Sequence, residues 1–154
     1  PEDEVIRLAG QLAEAGADET GLSDTVGYAN PAQVTRLFTR AFAEIGSKTG
    51  AAHMHNTRGL GIANCLAAYE AGVRTFDSSL CGLGGCPYAP GASGNVVTED
   101  LVFMFEAMGF STGIDLNRLI AAREAVIAGL PGVEVYGMTA EAGLPKGFEQ
   151  AHHG

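Results

Sequence analysis

The sequence predicts an α/β fold: the C-terminal part of a (βα)8 (TIM) barrel, with about three parallel strands, flanking helices and further helices at the C-terminal end. Three observations predict it. Apolar residues alternate between helical spacing and short strand-like runs. The resulting order is α-β-α-β-α-β. The strand ends, near Asp24, His55 and Ser79, recur roughly every 25–30 residues, close to the ~30-residue unit of a barrel of about 250. Three strands do not close a barrel, so the 154 residues read as a single domain that is the C-terminal portion of a larger one.

Each element has its own signal. Val5, Leu8, Ala9 and Leu12 share a helical face and Gly16 stands at a natural C-cap, which predicts a helix over about residues 3–15. Ala17 to Asp24 reads as the first strand. Asn30 followed by Pro31 is an N-cap and a first-turn proline, and Val34, Leu37, Phe38, Ala41, Phe42 and Ile45 form one stripe that ends near Gly46. Gly50 to His55 is the second strand. A third helix runs from about Leu60 to Gly72, with Ile62, Cys65, Leu66 and Tyr69 on one face. Val73 to Ser79 is the third strand, with Val73 and Phe76 expected on the barrel's inner face. A glycine-rich loop follows. Thr98 is expected to cap a helix through Leu101–Met108, and Asp115 one through Leu116–Ala128. No strand is expected after the loop.

Composition narrows the function. Eighteen Asp and Glu against nine Lys and Arg give a net charge of −9, with no basic run, so nucleic acid and phospholipid surfaces are not expected partners. No apolar run reaches the roughly 18–20 residues of a membrane span, and nothing reads as a signal peptide. Three cysteines are an odd number in a chain of ordinary size, which argues against a disulfide scaffold and for a reducing, cytoplasmic setting.

Two features carry chemistry. His53 and His55 flank Met54 at the end of the second strand, where period-two alternation places both imidazoles on one face. In a parallel barrel the C-terminal strand ends carry the active site, so two such imidazoles suit a shared cation, or else pack at the strand end with backbone partners. Asp24 ends the first strand at the matching height. The second feature is the loop, which holds five of the 22 glycines in the thirteen residues Gly82–Gly94. Its glycines permit close backbone approach and Pro87 and Pro90 stiffen it, a combination expected of a mobile lid. Beside a cation Cys86 would suit acid or nucleophile chemistry. Cys65, on a helix stripe, reads as core.

The stretch His53-Met54-His55-Asn56-Thr57-Arg58-Gly59, the run Phe76-Asp77-Ser78-Ser79, and the loop Gly82 to Asn95 followed by Thr98-Glu99-Asp100-Leu101 together resemble the 3-hydroxy-3-methylglutaryl-CoA lyase family. The similarity extends from about Asp24 to Leu119. The resemblance implies a metal-dependent barrel enzyme that cleaves a carbon–carbon bond in a 3-hydroxyacyl-CoA, with an acyl-CoA as its small-molecule partner and a homo-oligomer as the complete enzyme. It implies His53, His55 and Asn95 as ligands of a divalent cation, Mg²⁺ or Mn²⁺, Cys86 as the catalytic loop cysteine, and Asp24 as the acid that contacts the substrate hydroxyl. The family's lyases usually have Asp and Tyr where this chain has Asn56 and Arg58, and a serine where it has Gly21; these positions surround the acyl group. The family's remaining metal ligand, an aspartate, and a neighbouring arginine lie on a first barrel strand that no segment here matches.

The expected reaction is a retro-Claisen cleavage. The alternatives are a condensing enzyme of the same barrel type, such as an isopropylmalate or homocitrate synthase, and a non-catalytic half-barrel that binds a metal or partner without turnover.

Overall fold

A computed structural model describes residues 1–85 and 94–151 of the chain. Its elements are α1 (Glu2–Glu14), β1 (Thr20–Asp24), α2 (Pro31–Ile45), β2 (Thr49–Met54), α3 (Gly61–Glu70), β3 (Phe76–Asp77), α4 (Thr98–Ala107), α5 (Leu116–Gly129) and α6 (Met138–Ala142). The strands form one parallel sheet in the order β1-β2-β3, the α/β arrangement expected from the sequence. Among the described residues no helix is long and apolar enough to cross a membrane.

The helices begin and end for local reasons. Asn30 accepts the Gln33 amide at 3.1 Å ahead of Pro31, and Asp115 accepts the Arg118 amide at 3.1 Å, so both expected caps form. Helices α1, α3 and α4 end alike: Gly16, Gly72 and Gly109 turn to φ +102, +116 and +86, and the next residue's amide donates five residues back.

That ending explains why β3 is shorter than Val73–Ser79. The Val73 amide is spent on Ala68 O, closing α3, and Ser79 pairs with residues 96–97 instead of continuing the ladder. Thr98 is not a cap. It is the first residue of α4, and its hydroxyl pairs with Ser78 Oγ at 2.9 Å. The segment just before α4, where no strand was expected, bridges β2 antiparallel at His55↔Asn95 and residue 79 in parallel at Ser79↔Val97.

The sheet has two unlike faces. Leu22, Ala52 and Met54 are buried beneath Val34, Phe38 and Ala41 of α2 and Cys65 and Ala68 of α3. Val73 and Phe76 join this helix side, contrary to the inner-face expectation, because Asp77 rather than Phe76 pairs with His53. The opposite face carries Gly21, Ser23, Ala51 and His53 and is less covered.

A bulge fixes the register between β1 and β2. Thr20 pairs with Thr49, but Leu22 pairs with Ala52, so β2 spends one extra residue. Glycine permits this crowding: a Cβ on Gly21 would lie 2.7 Å from Ala51 O, and one on Gly50 2.9 Å from Glu19 Cβ. Beyond the bulge Ser23 faces His53 and Asp24 faces Met54.

The C-terminal segment is tied down by one buried acid. Glu106 accepts the Thr112 amide at 2.7 Å and hydroxyl at 2.6 Å and the Ala151 amide at 3.0 Å. Burial pushes its carboxyl up, but these donors outweigh burial and hold it below the usual carboxylate range. A depressed folded value contributes stability above the ordinary 4.5 that is lost as pH falls through the folded value. Glu106→Gln should therefore flatten the acid limb of the stability curve and cost about 1–3 kcal/mol at neutral pH, measured by urea denaturation at several pH values. An unchanged acid limb would contradict this.

Candidate metal centre

Three parallel neighbours and one loop stem build the site. Residue 53 leaves β2 on the open face, and the β2–β3 register sets Asp77 beside it. Asp77 Oδ1 lies 2.5 Å from His53 Nδ1 and accepts Asn95 Nδ2 at 3.2 Å. The carboxylate thus assigns the proton of His53 to Nδ1 and leaves Nε2 as a lone-pair donor. The same contact turns the Asn95 amide so that its nitrogen faces Asp77 and its oxygen faces away.

His55 closes the group. Its Nε2 lies 3.1 Å from His53 Nε2, the ring centroids 5.0 Å apart. Asn95 is carried to the pair by the His55↔Asn95 bridge and by the Val96 amide on Met54 O at 2.9 Å. His53, His55 and Asn95, named as ligands by resemblance, are therefore brought together.

This donor set fits a hard divalent cation on two observations. Two nitrogens each about 2.1–2.2 Å from one ion at a right angle would stand ~3 Å apart, the spacing the Nε2 atoms have. Asn95 Oδ1 is buried with no hydrogen-bond partner among the described residues, an orphan acceptor of the kind a cation satisfies. No group of three or more His, Cys, Asp and Glu converges among the described residues, so the set there is two imidazoles and an amide oxygen.

Asp24 is not brought to the pair. An unbroken ladder from Thr20↔Thr49 would have set it opposite His53; the bulge moves it one place, to Met54 and the other face. Its two oxygens accept the Tyr28 and Ala29 amides at 2.9 and 3.1 Å, which orders the loop after β1. Arg58, on the neighbouring loop, donates to Val26 O and Gly27 O and lies 4.4 Å over the Tyr28 ring. Cys86 lies outside the described residues, as does most of the expected lid. Cys65 is core as expected, its thiol pushed up to about 12 by burial and, secondarily, by Asp77.

Sequence reasoning gave Asp77 no role, although its place on β3 beside His53 follows once the strands are aligned. It also missed the neck of the glycine loop. Glu99 is fully buried and pairs with Arg123 at 2.5 Å, and both carboxylate oxygens accept the Cys81 amide at 3.2 Å. The Tyr136 ring lies against Gly82, and Gly94 packs on the carbonyls of Gly82 and Leu83. On the far side of β3, a cavity of about 560 Å³ walled by Tyr69, Phe76, Phe105 and Phe110 holds none of the site residues.

A parallel α/β sheet with a paired-imidazole strand end defines the class: barrel proteins that work from the C-terminal ends of their strands. The chain belongs to the HMGL-like family, whose model matches residues 1–126. It is 47% identical over 122 residues to the hydroxymethylglutaryl-CoA lyase YngG of Bacillus subtilis, covering 79% of this chain and 41% of that protein. It is 45% identical over 128 residues to the (R)-citramalyl-CoA lyase of Chloroflexus aurantiacus, covering 83% and 40%. The fold matches the structure of an HMG-CoA lyase from A. baumannii in complex with coenzyme A and 3-methylmalate, with a TM-score of 0.89 and 46% identity over 97% of this chain and 48% of that one. The chain thus spans about two fifths of the length of the curated relatives it matches.

The neck yields a stability test. Gly82 has φ +65, and a Cβ there would overlap the Tyr136 ring. Gly82→Ala should lower the unfolding free energy by about 1–3 kcal/mol from backbone strain alone, read by urea denaturation. A midpoint equal to the parent's would show that the ring does not occupy that place.

Proposed function

We propose that this chain forms the C-terminal part of an enzyme that cleaves a 3-hydroxyacyl-CoA, such as 3-hydroxy-3-methylglutaryl-CoA, into acetyl-CoA and a keto acid, acetoacetate. The observation that carries the reading is the convergence of His53 Nε2, His55 Nε2 and the orphan Asn95 Oδ1 around Asp77. The lyase relatives support the reaction class. His53, His55 and Asn95 would hold Mg²⁺ or Mn²⁺, with mixed nitrogen and oxygen donors favouring these over a thiolate-bound zinc. Bound there, a divalent cation supplies Lewis acidity that lowers the cost of removing the substrate's hydroxyl proton.

The chain's own residues do the rest. Asp77 keeps the donor atoms aimed. Asp24, its carboxylate already ordered by two backbone amides, retains further lone pairs with which to take the hydroxyl proton. The C2–C3 bond then breaks as the oxygen's electron pair forms the carbonyl of the keto acid, and the bonding pair stays on C2 as the enolate of acetyl-CoA. Cys86 gives its thiol proton to C2. The proposal extends to a cytoplasmic, homo-oligomeric enzyme.

The (R)-citramalyl-CoA lyase relative makes the acyl group a matter for assay, and Asn56 and Arg58 are the positions that depart from the usual pattern. A second reading, a half-barrel that binds without turnover, is favoured for these residues alone by the lack of a converging carboxylate among them. In the intact protein, Cys86→Ala should lower turnover of 3-hydroxy-3-methylglutaryl-CoA by orders of magnitude with Mn²⁺ affinity nearly intact, whereas His53→Ala should abolish both. Equal loss of Mn²⁺ binding in Cys86→Ala would show its role to be misassigned; full turnover in His53→Ala would overturn the cation site.

A further inference from the structure

Tyr136 follows α5, beyond the residues matched by the family model, yet it reaches the candidate cation site. Its amide donates to Cys81 O at 3.0 Å and its carbonyl accepts Arg123 Nη1 at 3.0 Å. The same Arg123 nitrogen pairs with Glu99, which in turn holds the Cys81 amide. Tyr136 is thus gripped at both backbone groups. From that anchored position its ring lies over Gly82 and its hydroxyl donates to Asn95 O at 3.3 Å.

Asn95 is held from two sides. On one, β2 pairs with residues 94–96 through the Asn56 and Val96 amides; on the other stands the Tyr136 hydroxyl. The neck beneath is over-determined: Cys81 sits at φ +61, a strained conformation for a residue with a side chain, and persists because Glu99 and Tyr136 hold its amide and carbonyl.

We infer that Tyr136 is a positioning residue for Asn95: the buried Glu99–Arg123 pair fixes Tyr136, and Tyr136 fixes the backbone of the amide donor, making the segment after α5 a working part of the cation site. This rests on the reading of His53, His55 and Asn95 as the cation's ligands. Glu99–Arg123 is then more than a buried ion pair of doubtful net stability, because its geometry is transmitted to a ligand. Outer-shell partners of metal ligands typically account for 10–100-fold in affinity.

The test is Mn²⁺ binding to the intact, metal-free protein, read from loss of the free-Mn²⁺ electron paramagnetic resonance signal, beside a urea denaturation curve. Tyr136→Phe keeps the ring on Gly82 and removes only the hydroxyl. It should weaken Mn²⁺ binding roughly tenfold with the unfolding midpoint unchanged. Arg123→Lys, which keeps the charge but gives up the fork that reaches both Glu99 and Tyr136 O, should shift affinity the same way even if it loses stability. Glu106→Gln, which loosens the C-terminal segment elsewhere, should cost stability and leave Mn²⁺ affinity at the parent value. Parent-like affinity in Tyr136→Phe, or equal weakening in Glu106→Gln, overturns the inference. A parent that binds no Mn²⁺, or a His53→Ala variant that binds it as the parent does, overturns the underlying ligand assignment as well.

Discussion

Asp77 stands beside His53 because β2 and β3 are parallel neighbours in register, and that single pairing sets the chemistry of the strand-end face. One carboxylate oxygen, shared between an imidazole nitrogen at 2.5 Å and an amide nitrogen at 3.2 Å, decides which atoms of His53 and Asn95 are left as acceptors. Without it His53 could protonate on either nitrogen and the Asn95 amide could turn over, presenting N–H groups where lone pairs are needed. The contact costs little to keep. Asp77 is half exposed, so its charge stays hydrated while one oxygen is committed.

That pairing is possible because the sheet divides its labour between two faces. Leu22, Ala52 and Met54 bury against α2 and α3 and supply the cohesion, which leaves the other side free to carry His53 and Asp77. Alternation makes the division strict: a slip of one residue would send the imidazoles into the apolar layer and Met54 into the site. The bulge near Gly21 and Gly50 is where β1 is set against this scheme. It brings Ser23, not Asp24, alongside His53, and directs the Asp24 carboxylate to its own loop.

Much of this was legible in the sequence because the signals were local. Asn30-Pro31 marks the start of α2, Gly16 the end of α1, and the His-x-His spacing puts both rings on one side whatever the strand's neighbours are. The failures are non-local. A bulge is a property of two strands together, so the side on which Asp24 emerges could not be read from β1 alone. Val73 looks like strand because it is β-branched and apolar, but its amide is claimed by the end of α3. Thr98 looks like a cap, yet its hydroxyl has a partner in Ser78, twenty residues away. The neck of the glycine loop was hidden for the same reason: Glu99 and Arg123 read as ordinary helix charges until the chain brings them to 2.5 Å with no water between them and the core.

The account's central claim is that Asp77 aims the nitrogen and oxygen donors at a shared cation. The direct measurement is Mn²⁺ affinity of the intact protein and of its Asp77→Ala variant by isothermal titration. Because Asp77 lies on the open face, the variant should fold as the parent does, while losing the contact that fixes both His53 and Asn95. The account predicts binding weaker by about 10–100-fold; an Asp77→Ala protein that binds Mn²⁺ as tightly as its parent would contradict it.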